Sequence, residues 1–326
     1  MPHLPVRFAT IGFGIMGERM LRAAVAHDPA KLIVAGAWDP SPDAMQRLAR
    51  ELPDVPAFAS LDALLAACDA VHIASPPTYH LQQLEQAVDA GVAVLCEKPL
   101  AVDVTAARAT VARVSAKGGR AAVNFPFTSS FGVDQLNDWC KSGAIGTPQR
   151  LAIEAAFAAW PRPWQMAAAS WLSKRGDGGF TREVLSHFLF LTLRQFGPLT
   201  LHSTSATYPA GDGAETAISA TLSAAGLPVT VTGTVGGTTK PDHNLWTLHG
   251  SAGQIRLRDW AVAEKLQPDG TWAAPAEARS NEEMRPLVLQ RQLDKVIDMT
   301  TGEPHTLATL QEALAVQELV EAMLQA

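Results

Sequence analysis

A glycine-rich segment near the N-terminus has the residue types and spacing of a phosphate-binding loop. The segment follows the apolar run Phe8–Ile11 and consists of Gly12, Phe13, Gly14, Ile15, Met16 and Gly17. In a strand–turn–helix unit, the first glycine allows a tight turn, the second lets the backbone approach a pyrophosphate, and the third allows close packing of helix on strand. The N–H groups at the start of the helix then face the phosphates. The pattern predicts a dinucleotide site, with a plain strand–turn–helix as the alternative.

An acidic side chain follows this loop at the distance that the dinucleotide fingerprint requires. Asp39 stands at the end of the second predicted strand, about 20 residues beyond the loop. Its carboxylate can accept hydrogen bonds from an adenosine ribose and would repel a 2′-phosphate. The next few positions hold no arginine, so the pattern favours NAD over NADP. Asp39 also opens the sequence Asp39-Pro40-Ser41-Pro42, so a turn without a ligand is the alternative.

A lysine stands at the end of the fourth predicted strand, in the sequence Glu97-Lys98-Pro99-Leu100. Ligand crevices of doubly wound sheets open at the carboxyl ends of the strands. Burial can lower the pKa of a lysine, and its side chain can donate a hydrogen bond to a hydroxyl or carbonyl oxygen of a substrate. Lys98 is therefore a candidate catalytic residue, with a surface lysine in a loop as the alternative.

These side chains need a parallel sheet to position them, and the first part of the chain has that pattern. Short apolar or β-branched runs alternate with helical patterns that are long enough for crossover connections. The strands are predicted at Arg7–Ile11, Leu32–Trp38, Ala70–Ala74, Ala93–Cys96 and Ala121–Asn124. The helices are predicted at Gly17–His27, Pro42–Glu51, Tyr79–Asp89 and Val104–Lys117. Residues 1–123 are therefore expected to form a Rossmann domain, a doubly wound parallel sheet that binds a dinucleotide.

The pattern changes after residue 123. Thr- and Val-rich runs are separated by Gly, Pro and Asp turns, and such short connections suit a largely antiparallel open sheet. The strands are predicted at Gln149–Ala159, Thr200–Tyr208, Thr216–Ser223, Val229–Val235, Asn244–His249 and Gln254–Arg258. Helices are predicted at Val133–Lys141, Glu282–Asp298 and Leu307–Leu324. Residues 124–326 are expected to form an α+β domain for substrate binding and oligomerisation.

Several segments together resemble the Gfo/Idh/MocA family of nicotinamide-dependent oxidoreductases. Besides the glycine loop, they are Ser75-Pro76 with His80, then Glu97-Lys98-Pro99, and finally Gly302-Glu303-Pro304-His305, in the family's order. The resemblance extends over nearly the whole chain. It implies that the cofactor site includes, besides the glycine loop and Asp39, the residues Ser75, Pro76, His80, Glu97, Lys98 and Asn124.

In the second half of the chain, the glycine pair Gly178-Gly179 is followed by Glu183 and then by His187. Residues four apart on a helix share a face, so both side chains can point into one cleft. The resemblance implies that His187 exchanges the proton of a substrate hydroxyl while Lys98 and Glu183 position it. An imidazole with an ordinary pKa of about 6.5 suits this transfer. A histidine packed in the core of an apolar helix is the alternative.

Several residues depart from the family's pattern, and two of them concern the proposed catalytic helix. Glu183 stands where an aspartate is usual, and Phe190 stands where a second acid is frequent. The glycine loop and Asp39 keep the pattern. The departures therefore concern the substrate rather than the cofactor.

Aromatic and basic side chains crowd the segment before the glycine pair. Aromatic faces stack on sugars and cyclitols, and a cation could hold a carboxylate. The candidate substrate contacts are Arg162, Trp164, Trp171 and Arg175. Ordinary packing with a solvated basic loop is the alternative.

The composition excludes other classes of protein. The 326 residues carry a formal net charge of -6, so no bulk positive field attracts nucleic acid or an anionic membrane. The thiols Cys68, Cys96 and Cys140 are isolated and odd in number, which argues against a disulfide framework or a zinc site. No histidine–cysteine cluster has the spacing of metal ligands, so no metal is expected.

The same features predict where the protein works. The start of the chain at Met1–Arg7 lacks the character of a signal peptide, and the longest apolar stretch, Val184–Leu193, is too short to span a bilayer. Unpaired cysteines fit a reducing compartment. A cytoplasmic protein is expected.

Taken with the resemblance, these residues predict an NAD-dependent oxidoreductase that transfers a hydride between nicotinamide and a carbinol or carbonyl carbon of a sugar, cyclitol or related polyol. The open sheet would pair chains into a homodimer or homotetramer. Two alternatives remain. One is a reductase of an imine or enone-type double bond on the same scaffold, and the other is a sensor that binds NAD(H) without turnover.

Overall fold

A computed structural model describes residues 4–325, and the chain divides into two compact units. The first unit contains the chain up to Thr128 together with Pro286–Leu314, and the second contains Ser129–Arg285 together with the chain from Ala315 on. A segment near the end of the chain therefore belongs to the N-terminal unit. The part of the signal-peptide prediction that concerns residues 1–3 lies outside the described residues.

The elements follow the chain order. The strands are β1 (Val6–Ile11), β2 (Leu32–Trp38), β3 (Ala70–Ile73), β4 (Ala93–Cys96), β5 (Ala121–Val123), β6 (Pro148–Phe157), β7 (Leu199–Thr207), β8 (Ala217–Ala224), β9 (Leu227–Val235), β10 (His243–Gly250), β11 (Gln254–Arg258), β12 (Val262–Leu266), β13 (Trp272–Ala273) and β14 (Ala308–Thr309). The α-helices are α1 (Ile15–Val25), α2 (Pro42–Glu51), α3 (Leu61–Ala67), α4 (His80–Asp89), α5 (Val104–Ala116), α6 (Phe131–Lys141), α7 (Ala169–Leu172), α8 (Ser186–Phe196), α9 (Asn281–Thr301) and α10 (Leu310–Leu324).

The first unit contains a six-stranded sheet in the order β14-β5-β4-β3-β1-β2. Strands β1 to β5 pair in parallel, and β14 pairs with β5 in the antiparallel direction. This is the predicted doubly wound Rossmann sheet, and it confirms that part of the fold. The central strands β3 and β4 are buried throughout, as parallel strands covered on both faces are.

Two apolar clusters belong to this unit. Phe8 of β1 and Met20 of α1 belong to a cluster that also includes Leu293 of α9. Phe13 packs with Leu48 of α2 in a smaller cluster. The late segment of the chain therefore completes the core of the N-terminal unit, a long-range contact that local periodicity did not reveal.

The second unit contains an eight-stranded sheet in the order β13-β12-β11-β10-β6-β9-β8-β7. Its neighbouring strands are antiparallel except for the parallel pair β6 and β9. The predicted open, largely antiparallel sheet is confirmed. In β9, buried Val229 and Val231 alternate with exposed Thr230 and Thr232, so the strand presents one apolar and one polar face.

Helix α8 lies against the apolar face of this second sheet. The indole N–H of Trp246, on β10, donates a hydrogen bond to Thr192 Oγ1 of α8 at 3.0 Å, and both groups are buried. The first part of α8, Ser186–Thr192, is buried. In the described part of the chain, no helix has both the length and the hydropathy of a membrane span.

Candidate functional site

The glycine loop joins β1 to α1, and its three glycines have different structural roles. Gly12 has φ +88°, and a Cβ there would come within 2.9 Å of the backbone of Ala74. A Cβ at Gly17 would overlap the carbonyl oxygen of Gly12. A Cβ at Gly14 would meet no atom within 4 Å. The fold therefore requires the first and third glycines, while the second faces the open space that a pyrophosphate needs.

Asp39 fixes this loop to the end of β2. Its Oδ2 accepts a hydrogen bond from the backbone N–H of Phe13 at 2.7 Å, and its Oδ1 accepts one from Ser41 at 2.8 Å. The sequence offered a ribose-binding acid and a turn residue as alternatives. The contact with Ser41 is that of a turn residue, and the ribose role stays a prediction. A carboxylate has about four lone pairs, so it can still accept hydrogen bonds from a ribose.

Arg47 of α2 brings a positive charge to the same loop. Its guanidinium lies 4.3 Å from the centre of the Phe13 ring and donates hydrogen bonds to the Phe13 carbonyl and to Glu18. Sequence reasoning missed Arg47, because the turn into α2 separates it from Asp39. The charge is paired with Glu18 and is therefore partly neutralised.

The turns after β3 and β4 are linked through the buried imidazole of His80. Its Nδ1 lies 2.9 Å from the carbonyl oxygen of Pro99, and its Nε2 lies 2.9 Å from that of Ser75. Burial lowers the pKa of His80, although contacts with two carbonyls oppose that shift. The structure thus connects the Ser75-Pro76 segment to the loop that carries Lys98.

Glu97 lies in a buried polar network directly before Lys98. Its Oε1 contacts Nε2 of His72 at 3.1 Å and accepts a hydrogen bond from Asn124 Nδ2 at 2.7 Å. Gln292 of α9 donates to Asn124 Oδ1 at 3.0 Å and extends the network. Burial alone would raise the pKa of Glu97, but the contacts with His72 and Asn124 outweigh it and hold that pKa below its usual range.

Sequence reasoning named Glu97 and Asn124 but missed His72 and Gln292. The sequence could have pointed to His72, because it is the polar residue in an otherwise apolar strand, β3, and a buried histidine needs a polar partner. Gln292 had none, since it approaches from the far end of the chain. Lys98 is half-buried beside this network, and its charge is among the influences that lower the pKa of Glu97.

In the second unit, the glycine pair leads into one turn of π-helix rather than into an α-helix. The π-turn spans Thr181–Leu185, and the N–H of Ser186 bonds back to the carbonyl of Thr181. Glu183 lies in this turn, and His187 lies in the first turn of α8, with 6% of its surface exposed. The two candidate catalytic residues therefore do not lie on one regular α-helix, although the sequence predicted that they would. π-Turns of this kind are frequent at functional sites.

A buried carboxylate anchors the start of this π-turn. Glu215 is 1% exposed, and its Oε1 accepts a hydrogen bond from the backbone N–H of Thr181 at 2.7 Å. Gly179 has φ +98°, and a Cβ there would overlap the Glu215 carboxylate. Burial raises the pKa of Glu215. Its place in a loop between two strands offered no signal in the sequence.

Arg162 and Glu183 belong to one polar cluster. Gln165 donates to Glu183 Oε1 at 3.0 Å and accepts from Arg162 Nε at 2.8 Å. The guanidinium of Arg162 is buried and donates to Asp242 Oδ2 at 2.5 Å. Glu183 is thus held by protein groups, and the guanidinium of Arg162 is engaged with protein acceptors.

The other candidate substrate contacts lie in different surroundings. Trp164 is exposed, and the Arg162 guanidinium lies 4.7 Å from the centre of its ring. Trp171 is half-buried on α7. Arg175 is exposed and stacks on the ring of Tyr208 at 3.8 Å. The substrate role of these residues remains a prediction.

The predicted cofactor residues thus lie at the carboxyl ends of β1 to β5, within the first unit. The predicted residues Glu183, His187, Arg162 and Trp164 lie in the second unit. Among residues 4–325, no group of three or more His, Cys, Asp or Glu side chains is arranged to hold a metal ion.

A glycine loop that opens a helix, an acid at the end of β2 and a doubly wound sheet together define a dinucleotide-binding fold. Residues 6–125 match the model of the Gfo/Idh/MocA oxidoreductase family, whose members have an NAD-binding Rossmann fold. The match confirms, for residues 6–125, the resemblance predicted from the motifs.

Curated relatives match part of the chain, and solved structures share its fold over nearly all of it. The chain is 30% identical over 146 residues to the myo-inositol dehydrogenase Hyg17 of Streptomyces leeuwenhoekii, a match that covers 44% of either chain. It therefore spans under half the length of this curated relative.

Two solved structures share the fold over nearly the whole chain. The WlbA dehydrogenase from Bordetella pertussis, in complex with NADH and UDP-GlcNAcA, has a TM-score of 0.82 at 19% identity, covering 100% of this chain and 96% of that one. The UDP-N-acetylglucosamine 3-dehydrogenase GnnA from Acidithiobacillus ferrooxidans has a TM-score of 0.78 at 19% identity, covering 99% and 98%. At these identities the likeness concerns the fold alone.

Proposed function

We propose that the protein is an NAD-dependent dehydrogenase that transfers a hydride between nicotinamide and a carbinol carbon of a sugar, cyclitol or related polyol. The observation that carries the proposal is the geometry of the glycine loop. The space beside Gly14 is open to a ligand, and Asp39 holds the loop by accepting a hydrogen bond from the Phe13 N–H. Relatives that act on inositol and on nucleotide sugars favour a polyol as the substrate class.

The residues of the first unit fit a bound dinucleotide. The N–H groups at the start of α1 would hold the pyrophosphate, and Asp39 would accept from the adenosine ribose. NAD, once bound, supplies the carbon that accepts the hydride. Asp39 disfavours a 2′-phosphate by its charge, and the pairing of Arg47 with Glu18 leaves little free positive charge at the loop. NAD is therefore the proposed cofactor.

Lys98 and His187 are the proposed catalytic residues. The side chain of Lys98 would donate a hydrogen bond to the reacting oxygen and polarise it. The Glu97 carboxylate stays ionised next to it, since its pKa is lowered, and compensates the positive charge of the lysine. His187 would take the hydroxyl proton, and Glu183, held by Gln165, would position the substrate.

A screen for turnover tests the proposal. The protein is incubated with NAD or NADP and a panel of sugars and cyclitols while the nicotinamide absorbance is followed. We expect reduction of NAD by at least one polyol, and faster reduction of NAD than of NADP. Binding of NAD without reduction by any member would favour the sensor. Reduction of imines or enones but no oxidation of polyols would favour a double-bond reductase.

We further propose that the second sheet joins two or four chains. The outer face of β9 presents Thr230, Thr232 and Thr234, and an exposed flat face of this kind can be covered by an equivalent face of another chain. Light scattering coupled to gel filtration would give the mass, and a monomer at working concentration would overturn this assignment.

The thiols are consistent with work in the cytoplasm, which we also propose. Cys68 and Cys96 are buried as free thiols, and burial raises the pKa of Cys68 to about 12. Free buried thiols persist in a reducing compartment. Fractionation of cells that produce the protein would test this location.

A further inference from the structure

The hairpin turn between β11 and β12 has an unusual backbone. Asp259 and Trp260 have φ +47° and φ +73°, in the left-handed region that favours glycine or asparagine. A tryptophan at such a position is an outlier, because its Cβ crowds the backbone there. Residues held in this way cluster at functional sites, where the surrounding structure fixes them.

Several hydrogen bonds hold Trp260 in this conformation. Its backbone N–H donates to Asn244 Oδ1 at 3.2 Å, and its indole N–H lies 3.2 Å from both carboxylate oxygens of Asp242. Asn244 is fully buried and also donates to Asp242 Oδ1 at 2.5 Å. Both the turn and the direction of the indole are therefore determined by neighbouring strands.

The indole reaches the first turn of α8. Its ring lies edge-on to the imidazole of His187, with centroids 5.1 Å apart and planes at 80°. It also packs against Phe188, at a centroid distance of 5.4 Å. A ring at this distance restricts the orientations that the imidazole can take. Asp242, which orients the indole, also binds Arg162 in the cluster that contains Glu183.

We propose that Trp260 is a positioning residue that fixes the His187 imidazole for proton transfer. The inference rests on the proposed function, in which His187 carries the substrate proton. A catalytic group must keep its orientation within narrow limits, and the rings packed around it usually do this. The role accounts for a bulky side chain at a turn position where glycine would fit without strain.

Four variants test the role of Trp260. Trp260→Phe keeps an aromatic ring at this position and removes the indole N–H together with one ring of the fused pair. Trp260→Leu removes the ring, and Trp260→Gly removes the ring while relieving the left-handed backbone. Trp272→Leu is the matched control, because Trp272 lies on the same sheet under Arg256, on β13 rather than at the turn beside His187.

The readouts are kcat, KM for both substrates, the thermal midpoint and the ring resonances of His187, assigned by their loss in His187→Ala. We expect Trp260→Leu and Trp260→Gly to lower kcat on the order of ten- to hundred-fold, with KM for NAD unchanged and the His187 resonances moved. Trp260→Phe should recover most of kcat, and Trp272→Leu should match the wild type.

Wild-type kcat in folded Trp260→Leu and Trp260→Gly, with unmoved His187 resonances, would overturn the positioning role. A loss of kcat that follows the loss of folded protein in all three Trp260 variants would also overturn it. Failure of the proposed function looks different, because either the wild type would turn over no polyol or His187→Ala would keep full turnover.

Discussion

The backbone N–H of Phe13 donates a hydrogen bond to Asp39 Oδ2 at 2.7 Å, so one carboxylate joins the glycine loop to the end of β2. The contact gives Asp39 two tasks in the proposed site. It holds the loop in the conformation that a pyrophosphate needs, and it presents acceptors and a negative charge to the adenosine ribose.

Replacing Asp39 by serine should therefore weaken NAD binding about ten-fold or more, and should weaken NADP binding less. The variant loses a charged hydrogen bond to the ribose, worth roughly 1.5–3 kcal/mol, which weakens NAD binding. It also loses the carboxylate charge that repels the 2′-phosphate of NADP, which offsets part of the loss for NADP. Titration by nicotinamide fluorescence measures both affinities. Asp43→Ser is the control, because it removes a nearby charge from the first turn of α2. An unchanged ratio of the two affinities would reduce Asp39 to a turn residue.

Two substitutions in the glycine loop, Gly14→Val and Gly17→Val, should have different effects on binding and on folding. Gly14→Val should abolish NAD binding while the thermal midpoint stays near that of the wild type, because its side chain enters open space that the pyrophosphate would fill. Gly17→Val should instead unfold the domain, since its Cβ would overlap the Gly12 carbonyl. Thermal melts and NAD titrations are measured on both variants. A Gly14→Val protein that melts normally and still binds NAD would remove the dinucleotide site from this loop.

Short-range patterns made these residues visible in the sequence. The glycine loop, Asp39 and Lys98 each stand at a strand end, where a few neighbouring residues reveal the geometry. The predicted strands β1 to β11 correspond closely to those of the structure. The short strands β13 and β14, of two residues each, are too brief to show a period.

Residues that act across long sequence distances could not be found in this way. His72, Gln292, Glu215 and Trp260 contact the candidate residues only because the strands and helices bring distant segments together. The π-turn was also missed, because Thr181–Leu185 contains no glycine or proline that would mark an irregular helix. The sequence thus predicted the site residues that are marked by their near neighbours in the chain. It did not predict those that reach the site only through the packing of distant segments.

We expect the stability of the folded protein to depend on pH because of the buried carboxyl of Glu215. Burial raises its pKa in the folded state, so folding favours the protonated acid. Burial of Glu215 costs no stability below about pH 4.3, the pKa of a glutamate in the unfolded chain. Above that pH the cost grows until the carboxyl ionises in the folded protein as well. Each unit of raised pKa corresponds to about 1.4 kcal/mol.

The variant Glu215→Gln keeps an acceptor for the Thr181 N–H and removes the ionisation. Its thermal midpoint should equal that of the wild type near about pH 4 and exceed it increasingly toward about pH 8. Calorimetry across this range measures the difference. Glu303→Gln, in the loop after α9, serves as an exposed control. A difference that does not change with pH would show that folding does not raise the pKa of Glu215.

Removal of either proposed catalytic group should separate binding from chemistry. Lys98→Ala and His187→Ala should still bind NAD while turnover falls by roughly 10²–10⁴-fold, the usual contribution of a general acid or base. Glu183→Gln should cost less, because Glu183 positions the substrate. Steady-state kinetics and NAD titration are compared in the same buffer. Full turnover in His187→Ala would make the histidine a core residue and favour double-bond reduction.

The central claim is that a hydride leaves a carbinol carbon for the nicotinamide, and an isotope label follows that atom directly. The best polyol from the screen is prepared with deuterium on its reacting carbinol carbon and incubated with the protein and NAD. Mass spectrometry of the nicotinamide product should show one deuterium for each molecule of NAD reduced. Reduced nicotinamide without deuterium, or bound NAD that stays oxidised with every polyol, would contradict the account.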